Sequence, residues 1–157
     1  MSLALLVAAS IGWQFAASQD PLGQSVYVAA LVPDEARPHV GLRFSCGGIV
    51  GVQLTFNLGE LTYSDKQLSD VEPEWEDVRF LFGEGPYDTT AKRAPITEGI
   101  GTYEIKGSDA AFVAGLLQSG GQVEIIHDDA KASFSLDGAG LAIGEVIEAC
   151  PFKYPGQ

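Results

Sequence analysis

Basic side chains are scarce in this 157-residue chain: 9 Lys plus Arg stand against 21 Asp plus Glu, a formal charge of −12 at neutral pH. That balance repels phosphate backbones and anionic membrane surfaces, so nucleic acid is excluded as an expected partner and a basic protein is favoured. The same acidity also serves plain solubility. Histidine and cysteine occur only twice each, as His39, His127, Cys46 and Cys150. No spacing among them makes a zinc set, and neither a metal nor another cofactor is expected. No segment approaches the roughly 20 apolar residues that span a bilayer, so membrane insertion is not expected either. The apolar stretch at residues 1–10 ends in small residues, as a partial secretory signal does, but it has no basic start.

What the chain has in abundance is strand patterning. Trp13-Gln14-Phe15 and the β-rich run Ser25–Val32 flank the turn chemistry of Asp20-Pro21-Leu22-Gly23, which predicts a hairpin. A loop over Pro33–Pro38 leads to a strand that places Leu42, Phe44 and Cys46 on one face. Gly47-Gly48 mark a turn, and from Val50 to Asn57 the residues Val50, Val52, Leu54 and Phe56 alternate with smaller or polar ones. Leu61–Tyr63 reads as a short strand, Ser64–Glu74 as a polar acidic loop, and Val78–Phe82 as a strand closed by Gly83–Pro86. Tyr87–Gly99 reads as irregular loop, and Tyr103–Ile105 as strand again. Ser108 is a suitable N-cap for a helix carrying Phe112, Val113, Leu116 and Leu117 and stopped by Gly120-Gly121. A hairpin follows around His127–Ala130, and a last helix ends at Pro151. The expected class is α+β, mainly β: a single domain over residues 11–157, built as a curved antiparallel sheet or sandwich with two short helices.

The two cysteines lie where they can hold such a fold together. Ile143, Val146, Ile147 and Cys150 form one helical stripe at i, i+3, i+4 and i+7, and Cys46 ends an apolar strand face. If those faces meet, a Cys46–Cys150 bond closes most of the domain into one loop, worth about 4 to 5 kcal/mol in the chain-entropy model. Two separate buried thiols are the alternative. The bonded reading implies an oxidising compartment.

Reactive constellations are few. Gly138-Ala139-Gly140-Leu141-Ala142-Ile143-Gly144 imitates a dinucleotide fingerprint, but its spacing and terminal position suit a tight strand-to-helix turn instead. His127, with Asp128 and Asp129 beside it and Ser133 and Ser135 downstream, offers a base and a nucleophile on paper. At a hairpin tip these residues read more simply as a solvated turn. Asp65–Asp77 carries enough carboxylates for calcium but no EF-hand pattern, and reads as a solvated acidic loop. Within it, Asp70, Glu72, Glu74 and Glu76 form a possible contact surface for a basic partner. Trp75 serves as an aromatic anchor there if it is exposed, although the core is its expected place.

The order of landmarks resembles the small secreted proteobacterial proteins of the VasI/TagO-like type, accessory proteins associated with type VI secretion. The residues carrying the likeness are Trp13, Leu42-x-Phe44-x-Cys46, Val78-x-Phe80, the Phe112–Leu117 helix, and Phe134-x-Leu136-x-Gly138 leading to Ala142, Val146 and Ala149-Cys150-Pro151-Phe152. The resemblance implies export to the periplasm, a bond between the two cysteines and a role through contacts. It supplies no catalytic residue. The expected function is therefore that of a non-enzymatic periplasmic or secreted accessory or binding protein. An inhibitor of a basic, lysozyme-like cell-wall hydrolase is the alternative, and a hydrolase built on His127 is a third reading.

Overall fold

Alternation of apolar and polar residues gives each strand one face that must leave water, and in this chain those faces combine into a single curled sheet. The structure is a computed structural model and describes residues 12–32, 40–49, 51–60, 75–93, 100–128 and 130–150. Nine strands lie among them: β1 (Trp13–Gln19), β2 (Ser25–Leu31), β3 (Val40–Gly47), β4 (Gly51–Glu60), β5 (Trp75–Phe82), β6 (Gly85–Arg93), β7 (Ile100–Lys106), β8 (Gln122–His127) and β9 (Ala130–Ser135). Two helices join them, α1 (Gly107–Leu117) and α2 (Ala139–Ala149). The signal-like segment, the Pro33–Pro38 loop, His39, Val50, the Leu61–Tyr63 strand, the acidic loop with Asp70, Glu72 and Glu74, and Pro151 with Phe152 lie outside the described residues.

The sheet order is β1-β2-β3-β4-β7-β6-β5-β8-β9, with every pairing antiparallel. Its curvature follows from ring contacts. Three strand spacings separate β4 from β5, about 14 Å on a flat sheet, yet Phe56 and Phe80 meet edge to face at 5.6 Å. Tyr103 on β7 and His127 on β8 are likewise three spacings apart in the order and meet at 5.0 Å. The inner face is thus wrapped around its own side chains, among them Phe44, Leu54, Phe56, Phe80 and Ile125, each at most 1 % exposed.

Among the described residues, the ends of the sheet meet at a corner. The Trp13 indole Nε1 donates to the Ser135 carbonyl at 2.9 Å, and the Trp13 backbone N–H donates to the Asp137 carbonyl at 3.3 Å. Trp13 opens β1 and Ser135 closes β9, so β1 begins where β9 stops. The strands are staggered past each other and the sheet stays open.

The helices fill the curl. α2 buries Ala139, Ala142, Ile143 and Val146 against β1 and β2, and its glycines let it approach α1 closely. A Cβ on Gly140 would sit 3.2 Å from the Gln118 carbonyl, and Gln118 Nε2 donates to the Gly140 carbonyl at 3.2 Å. The Gly138–Gly144 run is thus turn and packing chemistry, with Gly138 at φ 84° before the helix. Cys46 and Cys150 are bonded, their Cα atoms 5.8 Å apart across a sequence separation of 104.

Three expectations are corrected. Tyr87–Gly99 does not start as irregular loop, because β6 runs to Arg93, pairing with β5 from Gly85 to Lys92. Ser108 does not cap α1, which begins at Gly107 behind Lys106 with no side-chain cap bond. Trp75 is 61 % exposed, because β5 starts three residues before Val78: with Val78 and Phe80 pointing inward, alternation turns Trp75 outward and Glu76 inward.

Replacing both cysteines, C46S with C150S, is expected to lower unfolding free energy by about 4 to 5 kcal/mol. Denaturant titration measures this, and reduced wild-type protein should unfold at the same midpoint as the double variant.

Candidate functional site

Polar chemistry collects at the two ends of strands β5 and β8, about 20 Å apart along six residues of strand. At the end where β5 begins, the inner face changes from apolar to charged. Glu76, Arg93, Tyr103 and His127 all follow the inward alternation of their strands. Arg93 is 6 %, Tyr103 1 % and His127 7 % exposed. His127 Nδ1 lies 3.0 Å from the Asp77 carbonyl and Nε2 lies 3.0 Å from Glu76 Oε1. Arg93 Nη1 stands 3.5 Å from Glu76 Oε2.

This arrangement corrects the reading of His127 as a turn residue in water. Only Asp128 of the pair His127–Asp128 is at the surface, its backbone at φ 49° as the two-residue turn between His127 and Ala130 requires. Ser133 and Ser135 face outward while His127 faces inward, and Ser133 Oγ instead reaches Glu124 at 3.4 Å. No serine–histidine pair exists among the described residues. Glu76, expected on an acidic contact loop, is drawn into the inner cluster, whereas Trp75 beside it stands on the outer face.

At the opposite end, a groove of about 790 Å³ opens between α1, the β5–β6 turn and the start of β8. Its apolar walls are Leu81, Tyr87, Phe112 and Leu116, and its floor includes Gly120 and Gly121. Phe112 is 54 % and Leu81 39 % exposed, so apolar area faces solvent at the rim. Among the described residues, Glu84 and Glu124 are the charged side chains in the lining, and Lys, Arg and His are absent from it.

One wall is fastened by Asp109 in the first turn of α1. Tyr87 Oη donates to Asp109 Oδ1 at 2.7 Å and Thr89 Oγ1 donates to Oδ2 at 2.5 Å, while the Tyr87 and Phe112 rings lie 5.2 Å apart. Partial burial pushes the Tyr87 phenol above its ordinary value, and the hydrogen bond to Asp109 and that carboxylate's charge push it the same way. Outside, Arg79 and Asp88 form a two-bond cross-strand pair at 2.7 and 3.0 Å. It raises the guanidinium and lowers the carboxyl, and at this exposure it adds little stability.

The groove was not singled out from sequence. Its signal was Phe112 itself: Val113 and Leu117 belong to the buried face of α1, together with Ala110 and Ala114, which leaves Phe112 off that face. No family model, curated protein or solved structure matches the chain.

Because the folded-state value of Tyr87 is raised, its contribution to stability is complete below the free tyrosine range near 10 and is lost as pH rises through the folded value. The tyrosinate absorbance difference between wild type and Y87F should therefore titrate above free tyrosine. D109N should bring that titration down, since it removes the charge that opposes the phenolate.

Proposed function

We propose that this protein is a non-enzymatic extracytoplasmic binding protein that accepts a basic, apolar-bearing segment of another protein in the groove beside α1. The observation that carries the reading is the composition of that groove: exposed aromatic and aliphatic walls and, among the described residues, two carboxylates and no basic group. A cationic side chain flanked by apolar ones satisfies both features, and the chain's charge of −12 steers such a partner toward it. Glycine backbone at the floor leaves room for a main chain to approach closely. The disulfide supports a location outside the reducing cytosol, and among the described residues no helix is long and apolar enough to cross a membrane. Association with type VI secretion is the finer part of the proposal and rests on the landmark resemblance alone.

A basic lysozyme serves as a probe of the charge complementarity and of the inhibitor alternative together. Binding that weakens with added salt, falls by more than about 1 kcal/mol in F112A and is lost in E84K/E124K supports the groove as the contact. Binding indifferent to all three substitutions refutes it. Full lysozyme activity at excess protein removes the inhibitor reading without touching the broader one, for which peptides rich in Lys and Leu are the second probe.

A further inference from the structure

The polar cluster at the other end of β5 holds a buried imidazole between two oxygen acceptors. Asp77 contributes a backbone carbonyl to His127 Nδ1 at 3.0 Å. A carbonyl only accepts, so the ring hydrogen of a neutral imidazole sits on Nδ1 and the lone pair sits on Nε2. That lone pair points at Glu76 Oε1, another acceptor, at 3.0 Å. Two acceptors at this distance require a positive species between them, either a proton or a metal cation.

Asp128 supplies a third donor atom. Its Oδ2 lies 3.6 Å from His127 Nε2, and the donor atoms of Glu76, His127 and Asp128 all fall within 4.8 Å of one another. Zinc bonds of about 2.0–2.1 Å at tetrahedral angles place neighbouring donors about 3.3 Å apart, and the two measured edges bracket that length. The Nδ1–carbonyl contact is the outer-shell bond that orients a metal-bound histidine. Glu76 Oε2 is buried and makes no hydrogen bond, while Arg93 at 3.5 Å balances part of the carboxylate charge.

We propose that Glu76, His127 and Asp128 form a binding site for one zinc-type divalent cation, with the fourth position open on the Asp128 side, where that side chain is 81 % exposed. One imidazole with two carboxylates suits zinc, cobalt or nickel; the all-oxygen preference of calcium and magnesium is not met. The cation ties the β8–β9 hairpin tip to the start of β5. This site is independent of the groove and of the function proposed for it.

The test is calorimetric titration of metal-free full-length protein with zinc chloride in excess magnesium, which suppresses binding by scattered surface carboxylates. The expected result is one site per chain, weakened more than about tenfold in H127N and in E76Q and retained in H39A, which removes the only other histidine. Zinc should raise the thermal midpoint, a chelator should reverse it, and affinity should fall as pH is lowered because protons compete for the same lone pairs. Absence of binding, or binding that survives H127N, overturns the proposal and leaves a protonated imidazole–carboxylate pair as the meaning of the distances. If E76Q does not fold, D128N decides: its side chain is exposed, so metal-free stability should be unchanged, and unchanged zinc affinity overturns the three-ligand site.

Discussion

A sheet with nine strands and one apolar face has too much surface for two eleven-residue helices to cover if it lies flat. It must curl until the inner side chains meet one another, and the contacts of Phe56 with Phe80 and of Tyr103 with His127 record that curl. Each covers a span that a flat sheet would hold about 14 Å apart. Once the sheet is bent, α2 packs beside β1–β3, burying alanine, isoleucine and valine side chains against them. The disulfide then locks α2 to β3, and Trp13 locks the first strand to the end of the last.

Curling also explains why the polar groups lie where they do. Buried apolar side chains fill the middle of the curl, so ionisable side chains on the inner face are tolerated near an end, where charges find partners. Glu76, Arg93 and His127 gather at one end for that reason, on three neighbouring strands, and Tyr103 opposite Arg93 reaches His127 only because the sheet curls. At the other end the sheet is short of cover, because α1 leans on β4 and β7 and meets β6 through Asp109. The groove is the gap left between that helix and the β5–β6 turn, and the partly exposed ring of Phe112 is its consequence.

Much of this was legible in the order of residues. The strand at Leu42–Cys46, the closing helix stripe through Ile143 and Val146, and the hairpin around His127–Ala130 follow from periods of two and 3.6. The meeting of Cys46 with Cys150 was legible as a possibility, since both close an apolar face. Reading failed where an element began earlier than its apolar core. Starting β5 at Val78 left Trp75 assigned to the core and Glu76 to a solvated loop, whereas extending the alternation back by three residues reverses both. β6 was missed because Tyr87, Thr89, Ala91 and Arg93 alternate in burial without alternating cleanly in hydrophobicity.

The sequence by itself determined which face of each strand and helix is apolar, because side-chain direction along an element is set by local backbone geometry. It also determined the acidic charge and the two-cysteine economy of the chain. Only the tertiary structure decided which strands became neighbours, that a histidine at a hairpin tip turns inward to a glutamate 51 positions earlier, and that a groove opens beside α1. Those outcomes depend on how far the sheet bends, and the bend is a collective result of packing every inner side chain at once, which no local pattern encodes.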